Sequence, residues 1–427
     1  MTDTGGAGPT RIRHPDPREG TLTTTGMTAA NPTAHETLRK ADLTTIATLL
    51  ESQRTRTMDL STQGQKLWIA GGNLIVQGVE PHLDGDGVTD VNGTYAFGEV
   101  GLESFAARIG VPQNWLREQR DRHTDLFDTV AGYLLRGELN GEPSPYTSPD
   151  GRVHTLRLLR ADDSAANEVD GMVRAVLGGN YMAIDSLDVL DSVMQGMYRV
   201  GVTPDQCKIE ADLTESRMVV KVWVPAIQAL APDLLGDYRS PFSGQSGDEV
   251  PVVFAGLVFS NSEVGRGSWS VAPRIVYQVC TNGMTITRDA FTRRHVGEKL
   301  DGDGVITWSE ETQRANLELI KLKTSDAVRT YLTTDYVRAK LTEIAEAAGV
   351  KVTEAPEGII TKVTRHTGHT SARSSILAMY MQGGQYTAGG VMQAYTAAAQ
   401  VTGSGDVAYD LETRAVDAMQ WVAARSR

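Results

Sequence analysis

The strongest concentration of groups that could do chemistry lies between residues 264 and 299. This segment holds six basic and two acidic side chains, a local charge of +4 in a chain whose formal net charge is −12. Three aromatic residues, Trp269, Tyr277 and Phe291, are interleaved with the basic residues. Guanidinium groups bind phosphates through paired hydrogen bonds, and exposed aromatic rings stack on unpaired bases. The composition therefore indicates a groove for single-stranded nucleic acid.

The side chains that we expect to contact nucleic acid combine this segment with one arginine of the preceding loop. The basic groups would hold the phosphate backbone, while Trp269 or Tyr277 would stack on bases. The alternative is ordinary strand packing, in which the aromatic side chains point inward and the arginines pair with acidic residues of helices. The predicted contacts are Arg239, Arg266, Trp269, Arg274, Tyr277, Arg288, Arg293, Arg294 and Lys299.

No motif indicates a catalytic residue, a metal or a cofactor. The Asp-Gly loops beginning at Asp84 and Asp301 have Val at the fifth position and no Glu at the twelfth, so neither fits a helix-loop-helix calcium site. His366 and His369 are three residues apart, but no Cys or carboxylate lies close in sequence to complete a zinc shell. The glycines around Arg266 match only the first half of a dinucleotide-binding loop. An enzyme that acts through Asp or Glu with a metal stays open as an alternative.

A second nucleic-acid motif is possible between Phe105 and Leu116. Small residues are followed by Gly110 and Pro112, and Trp115 could pack a second helix, as in a helix-turn-helix. The alternative is a plain helical corner in which Pro112 stands in the first turn of the next helix.

The surrounding elements predict an α+β fold with a central antiparallel sheet, hairpins, flanking helices and a helical C-terminal cap. Alternating apolar residues in 208–213 and 218–224 predict a hairpin, and the continuous apolar run 252–259 predicts a central strand. Apolar residues between 169 and 177 predict a helix. Gly71 and Gly72 predict a hairpin within 66–77, and Asp42 and Asp185 are placed to cap the helices that follow them. We expect a disordered tail over 1–35 with an alternative start at Met27, an α+β module over 36–140, a β-rich core over 141–307 and a helical region over 308–427.

The overall composition favours a soluble, globular protein of the cytosol. Apolar residues make up 40% of the chain and charged residues 22%, which is typical of a folded domain. No apolar run approaches the length of a membrane helix, and the two cysteines are too few for a disulfide framework. The acidic net charge argues against coating of nucleic acid by the whole surface, but a local basic groove could still bind it.

Two blocks around the basic segment resemble a known family. The runs 254–265 (FAGLVFSNSEVG) and 273–284 (PRIVYQVCTNGM) are similar to the signature of the phage/plasmid-like protein family, domain of unknown function 932, especially its actinobacterial branch. The resemblance covers about residues 40 to 425 and departs from the family at Gly178 and Gly179, where Ser-Asp is more frequent. The expected structural motif consists of Asn261, Ser262, Glu263, Gly265, Cys280, Asn282 and Gly283.

These motif residues also have a physical interpretation. Asn261 and Ser262 can turn the chain through side-chain to backbone hydrogen bonds, and Glu263 could receive Arg266 or Arg274. Asn282 and the following glycine supply a turn that tolerates positive φ.

The resemblance implies a gene of mobile elements and transfers no catalytic residues. We expect a non-enzymatic protein that binds single-stranded nucleic acid, with strand annealing by a homo-oligomer as a further possibility. The architecture is similar to that of phage strand-annealing proteins at the level of fold analogy only. The alternatives are a protein-interaction or host-modulating module without nucleic-acid contact, and a helix-turn-helix protein that binds duplex DNA.

Overall fold

The computed structural model describes residues 35–84, 87–139, 142–143, 153–161, 168–179, 181, 184–293 and 310–426. The predicted tail, including Met27, lies outside these ranges apart from His35. Arg294, Lys299 and the Asp301 loop also lie outside them.

The described ranges contain seventeen short or medium strands and twelve α-helices. The strands are β1 (Leu38–Ala41), β2 (Thr57–Gln63), β3 (Leu67–Ala70), β4 (Asn73–Val76), β5 (His82–Asp84), β6 (Gly87–Thr89), β7 (Gly93–Phe97), β8 (Glu138–Leu139), β9 (Glu142–Pro143), β10 (Val153–Arg160), β11 (Gly171–Gly178), β12 (Lys208–Leu213), β13 (Met218–Leu230), β14 (Val252–Asn261), β15 (Trp269–Tyr277), β16 (Gly283–Thr285) and β17 (Phe291–Arg293). The helices are α1 (Leu43–Arg56), α2 (Glu99–Ile109), α3 (Gln113–Arg122), α4 (Thr124–Arg136), α5 (Ser186–Arg199), α6 (Pro232–Leu235), α7 (Glu310–Tyr331), α8 (Thr334–Ala348), α9 (Pro356–Thr367), α10 (Arg373–Gly383), α11 (Ala388–Val401) and α12 (Gly405–Ser426).

The predicted antiparallel sheet is confirmed as a seven-stranded sheet. Its order is β1-β12-β13-β14-β15-β16, and β17 pairs with β15 on the same edge as β16. The predicted hairpin is β12–β13, with Leu213 opposite Met218. The predicted central strand is β14, which is hydrogen-bonded to β13 and β15 and almost wholly buried because helices cover both faces of the sheet.

A second sheet of six strands was not expected from the sequence. Its order is β2-β10-β11-β7-β4-β3, and all its pairs are antiparallel except β11 with β7. The glycine hairpin between β3 and β4 is present, with Gly71 and Gly72 at positive φ. One face of this sheet packs a separate core against α2 and α4, with Phe105, Phe127 and Leu156 fully buried.

The helix predicted between residues 169 and 177 is wrong, because this segment is strand β11. Six of its eight residues are buried. Strands β10 and β7 pair with its two edges, and helix α2 packs against it. A short apolar run that is buried on both faces has no periodicity by which helix and strand can be told apart.

The helical regions agree more closely with the prediction. Asp42 and Asp185 cap α1 and α5, accepting hydrogen bonds from the backbone of Thr45 at 2.7 Å and Leu187 at 2.9 Å. The region from residue 308 contains α7 and α8 with a break at Thr333, followed by four further helices. Strands from both sides of the domain boundary predicted near residue 140 pair in each sheet. In the seven-stranded sheet β1 pairs with β12, and in the six-stranded sheet β10 pairs with β2 and β11 pairs with β7.

Candidate nucleic-acid interface

Three of the predicted contacts lie inside the protein. Trp269 and Tyr277 are 0% exposed and Arg274 is 3% exposed. All three are on β15, which has β14 on one side and β16 and β17 on the other. Helices cover the faces of the sheet here, so these side chains cannot reach a strand of nucleic acid in this conformation. Their predicted role as surface contacts is therefore corrected to a role in the core.

Arg274 is held by a buried network of charges. Its guanidinium donates to the two carboxylate oxygens of Glu412 on α12, at 2.5 and 3.1 Å. Lys221 on β13 donates to the same carboxylate at 3.2 Å and lies 3.3 Å from Asp212. Arg39 on β1 completes the chain with a 2.6 Å hydrogen bond to Asp212. The network joins four strands to the last helix.

The Cys-Thr-Asn-Gly motif is explained by this network and not by a glycine turn. The residue with positive φ is Thr281, at 54°, while Gly283 is outside the left-handed region. A Cβ at Gly283 would lie 2.5 Å from the Nε of Arg274, so glycine is required for the close approach of the guanidinium. Cys280 is buried, and burial raises the pKa of its thiol to about 12. It is therefore protonated at neutral pH and unsuited to act as a nucleophile.

The Asn-Ser-Glu motif ties the end of β14 to the start of α5. The amide nitrogen of Asn261 donates to the carbonyl of Ile184 at 2.8 Å and to the hydroxyl of Ser186 at 3.1 Å. The Ser262 hydroxyl donates to the carbonyl of Ser216 at 2.7 Å. The predicted side-chain to backbone bonds are thus present. The Ser262 hydroxyl accepts from the Arg266 N–H at 3.0 Å and closes a local turn, while the Asn261 and Ser262 donor bonds reach other elements.

Glu263 pairs with arginines that the sequence did not single out. Its carboxylate accepts from the Ser186 backbone at 2.6 Å and from Arg174 at 2.7 Å, and Arg157 lies 3.3 Å away. Burial alone would raise the pKa of Glu263, but the two guanidinium groups outweigh it and lower the value to about 2. Neighbouring Asp185 has a raised pKa because of burial and the charge of Glu263. The expected pairing of Glu263 with Arg266 or Arg274 is wrong.

Gly265 completes the motif through its backbone. It has a φ of +77°, which favours glycine, and its N–H donates to the Tyr181 hydroxyl at 3.1 Å. The same hydroxyl donates to the carbonyl of Ser262 at 3.2 Å. The first signature block, 254–265, thus has a structural role at the junction of the two sheets.

Three of the remaining predicted contacts, Arg239, Arg266 and Arg288, lie at the surface. Arg266 pairs with Glu103 of α2, and Arg239 donates to the carbonyl of Gly244 at 2.8 Å. Arg288 is 64% exposed, with Glu343 at 3.6 Å. The backbone of Arg293 pairs with β15, while Arg294 and Lys299 fall outside the described residues.

Strand β17 brings several of these residues to one edge of the seven-stranded sheet. Arg293 is opposite Trp269 and Phe291 is opposite Val271, so the turn that carries Arg266 lies at one end of the edge. Phe291 is 38% exposed and its ring centroid is 6.0 Å from that of Tyr331. Within the described part of the chain, no strand pairs with the outer side of β17.

The electrostatics of this edge leave Arg288 available. The neighbouring Asp289 accepts a 2.6 Å hydrogen bond from the Tyr336 hydroxyl and lies 3.0 Å from Lys340. These partners lower the pKa of Asp289 despite its partial burial. Lys340 also bonds Glu343 at 2.7 Å, which leaves only the longer 3.6 Å contact to Arg288.

The predicted helix-turn-helix corner is formed by α2 and α3, with Gly110 as a left-handed C-cap. Arginines of α3 pair with carboxylates at Arg117–Glu99 (2.5 Å), Arg120–Asp121 (3.0 Å) and Arg122–Glu118 (3.2 Å). These pairs neutralise the cations that a recognition helix would present to phosphates, so the corner favours packing over duplex binding.

A polar cleft adjoins the β17 edge. Its volume is about 560 Å³, and it lies between the end of α9, one face of α12 and the turn before β17. The described residues contain no cluster of three potential metal ligands here or elsewhere. The lining residues are Thr287, Thr367, Gly368, His369, Tyr409, Asp410, Thr413, Arg414 and Asp417.

Comparison with models of protein families, with curated proteins and with solved structures finds no match. The resemblance to the phage/plasmid-like family therefore stays a prediction. None of the described helices is long and apolar enough to cross a bilayer.

Sequence reasoning missed the partners of the buried arginines, although one signal was present. Glu412 stands on the apolar stripe of α12 together with Ala408, Ala415 and Met419, all of which are buried. A carboxylate on such a stripe indicates a buried cation opposite it. The cleft had no such signal, because its walls come from three separate parts of the chain.

Proposed function

We propose that this protein binds single-stranded nucleic acid along the β17 edge of the seven-stranded sheet, without catalysing a reaction. The pairing of β17 with β15 carries the proposal, because it aligns the Arg266 turn, Phe291 and Arg288 along an edge with which no described strand pairs. The exposed guanidinium of Arg288 would hold a phosphate, and the Phe291 ring would offer a face for a base. Trp269, Arg274 and Tyr277 support the edge from within.

The test is fluorescence anisotropy of a labelled oligothymidylate between about 50 and about 200 mM salt. We expect Arg288→Ala to weaken binding roughly threefold to tenfold and to reduce the slope of log affinity against log salt by about 1. Arg54→Ala is the matched control, because Arg54 is 53% exposed in a surface ion pair on α1. Absence of salt-dependent binding, or equal effects of the two variants, would overturn the proposal. Strand annealing by a homo-oligomer would require complementary oligonucleotides to pair faster in its presence.

A second candidate function is protein docking at an exposed apolar patch. Phe242, Met381 and Tyr386 are 47%, 56% and 48% exposed on two segments that are joined by a 3.1 Å hydrogen bond from the Arg239 N–H to the Gly383 carbonyl. A stoichiometric, nuclease-resistant complex that Tyr386→Ser abolishes would favour this candidate, while a complex insensitive to that change would count against it.

A further inference from the structure

The cleft between α9 and α12 has an unusual lining for a surface depression of its size. A volume of about 560 Å³ is within the range of small-molecule sites, but its walls are mainly hydroxyl, carboxylate, imidazole and guanidinium groups. Such walls suit a hydrophilic ligand with several hydroxyl groups. They do not suit an apolar ring system.

The two carboxylates of the cleft retain capacity to accept hydrogen bonds. Asp417 is 48% exposed, and its contacts are long, with His366 at 3.7 Å and Arg414 at 3.9 Å. Asp410 is 51% exposed and has one 3.2 Å contact to Arg217. A carboxylate has about four acceptor positions, so both can still receive sugar hydroxyls.

The cationic side of the cleft is suited to a phosphate. Arg414 is 58% exposed, and its 3.9 Å distance to Asp417 is too long for a firm hydrogen bond. Thr287 lines the cleft, and the next residue in the chain is the exposed Arg288. Phosphate could therefore be held at the rim while hydroxyl groups face the carboxylates.

His369 adds a group that can both donate and accept. Its Nδ1 is buried without a hydrogen-bond partner, and its ring stands edge-on to Tyr395 with centroids 5.9 Å apart. Burial lowers its pKa, so the imidazole is neutral near pH 7. A neutral imidazole is able to bond a hydroxyl group in either direction.

We propose that this cleft binds a ribose 5′-phosphate unit, with Asp410 and Asp417 accepting from ribose hydroxyls and Arg414 facing the phosphate. Carboxylates recognise the ribose 2′-hydroxyl in other nucleotide sites, and this hydroxyl is the group that distinguishes RNA from DNA. The ribose could belong to an RNA strand or to a free ribonucleotide. The RNA source rests on the proposed function, because Thr287 connects the cleft to the β17 edge.

The experiment compares oligouridylate with oligodeoxyuridylate of the same length, and UMP with dUMP, since each pair differs only at the 2′-hydroxyl. We expect the ribose form to bind at least fivefold more tightly. Asp417→Asn and Asp410→Asn should reduce that ratio to nearly one without weakening the deoxyribose form. Asp406→Asn is the matched control, because Asp406 is also on α12 and also pairs with Arg217, but does not line the cleft.

The outcomes separate the two proposals. Equal binding of both oligonucleotides, with no effect of the Asp417 variant, would overturn the ribose site and leave the edge proposal standing. Binding of UMP that depends on Asp417, without oligonucleotide binding, would support the cleft and overturn the edge. Failure of every ligand would overturn both. Asp417 has only long contacts, so its variant should fold, as a thermal melt would verify.

Discussion

At the scale of single residues, Glu263 shows how a predicted surface motif becomes an internal one. Its carboxylate is 7% exposed and is surrounded by Arg174, Arg157 and the N-terminus of α5. Removal of one partner from such a cluster leaves an uncompensated buried charge. The function of Glu263 is therefore to join the two sheets and α5.

We expect Glu263→Gln to lower the free energy of unfolding by about 3 kcal/mol at neutral pH, because it leaves two buried guanidinium groups without their shared anion. Chemical denaturation measures this loss. Glu103→Gln is the control, because it breaks the partly exposed pair with Arg266 and should cost less than about 1 kcal/mol. Equal losses in the two variants would contradict the buried role.

The same residue predicts a pH dependence. The folded pKa of Glu263 is about 2, below its ordinary value of 4.5. Its stabilisation is therefore complete above pH 4.5 and is lost as the pH falls through about 2. We expect the stability difference between the native protein and Glu263→Gln to shrink over this interval. A difference that is constant down to pH 2 would show that the ionised carboxylate contributes nothing.

At the scale of elements, the close contact between α2 and β11 depends on a glycine. A Cβ at Gly101 would lie 2.0 Å from the carbonyl oxygen of Val173, which is closer than any real contact. Gly132 is also within a helix, α4, but a Cβ there would meet nothing within 4 Å. A side chain is therefore excluded at Gly101 by the contact with β11, whereas the space around Gly132 can accommodate one.

We expect the same substitution to have opposite effects at these sites. Gly101→Ala should destabilise the protein by about 1–3 kcal/mol or more through overpacking. Gly132→Ala should stabilise it by about 0.5–1 kcal/mol because alanine is the better helix former. Thermal unfolding of both variants measures the difference. A stable Gly101→Ala protein would show that α2 can move away from β11 at little cost.

The elements that sequence predicted correctly are those with local signals. Asp42, Asp185 and the Gly71-Gly72 turn mark their helices and hairpin within a few residues. Strand β11 has no such mark. Its identity depends on β10, which precedes it in a hairpin, and on β7, which comes from a distant part of the chain. Non-local pairing of this kind cannot be read from a single segment.

At the scale of the whole molecule, the network around Glu412 connects the first strand, the middle of the sheet and the last helix. Arg39, Asp212, Lys221 and Arg274 all belong to strands, and α12 supplies the only helical member described. The C-terminal helices are thus fixed to the sheet by charge as well as by apolar packing.

We expect Arg274→Met and Glu412→Leu each to destabilise the protein by about 3–5 kcal/mol, and the double variant to lose markedly less than their sum. The apolar pair removes both buried charges together, although Lys221 keeps Asp212. Denaturation of the three variants measures the coupling. Additive losses of unfolding free energy would exclude the coupling. The folded Arg274→Met protein should also retain its oligonucleotide affinity, whereas the sequence predicted Arg274 to be a nucleic-acid contact.

The amino-acid sequence is sufficient to indicate the α+β class, the main hairpins, the helix caps and a basic, aromatic segment, because these depend on composition and on spacing within a few residues. It also located the blocks that turn out to be structurally essential. The burial of particular arginines depends on contacts between distant elements, because their partners Glu263 and Glu412 come from other elements. Long-range packing also forms the polar cleft, whose side chains are far apart in sequence, whereas the β17 edge forms by pairing of β17 with β15 inside the basic segment.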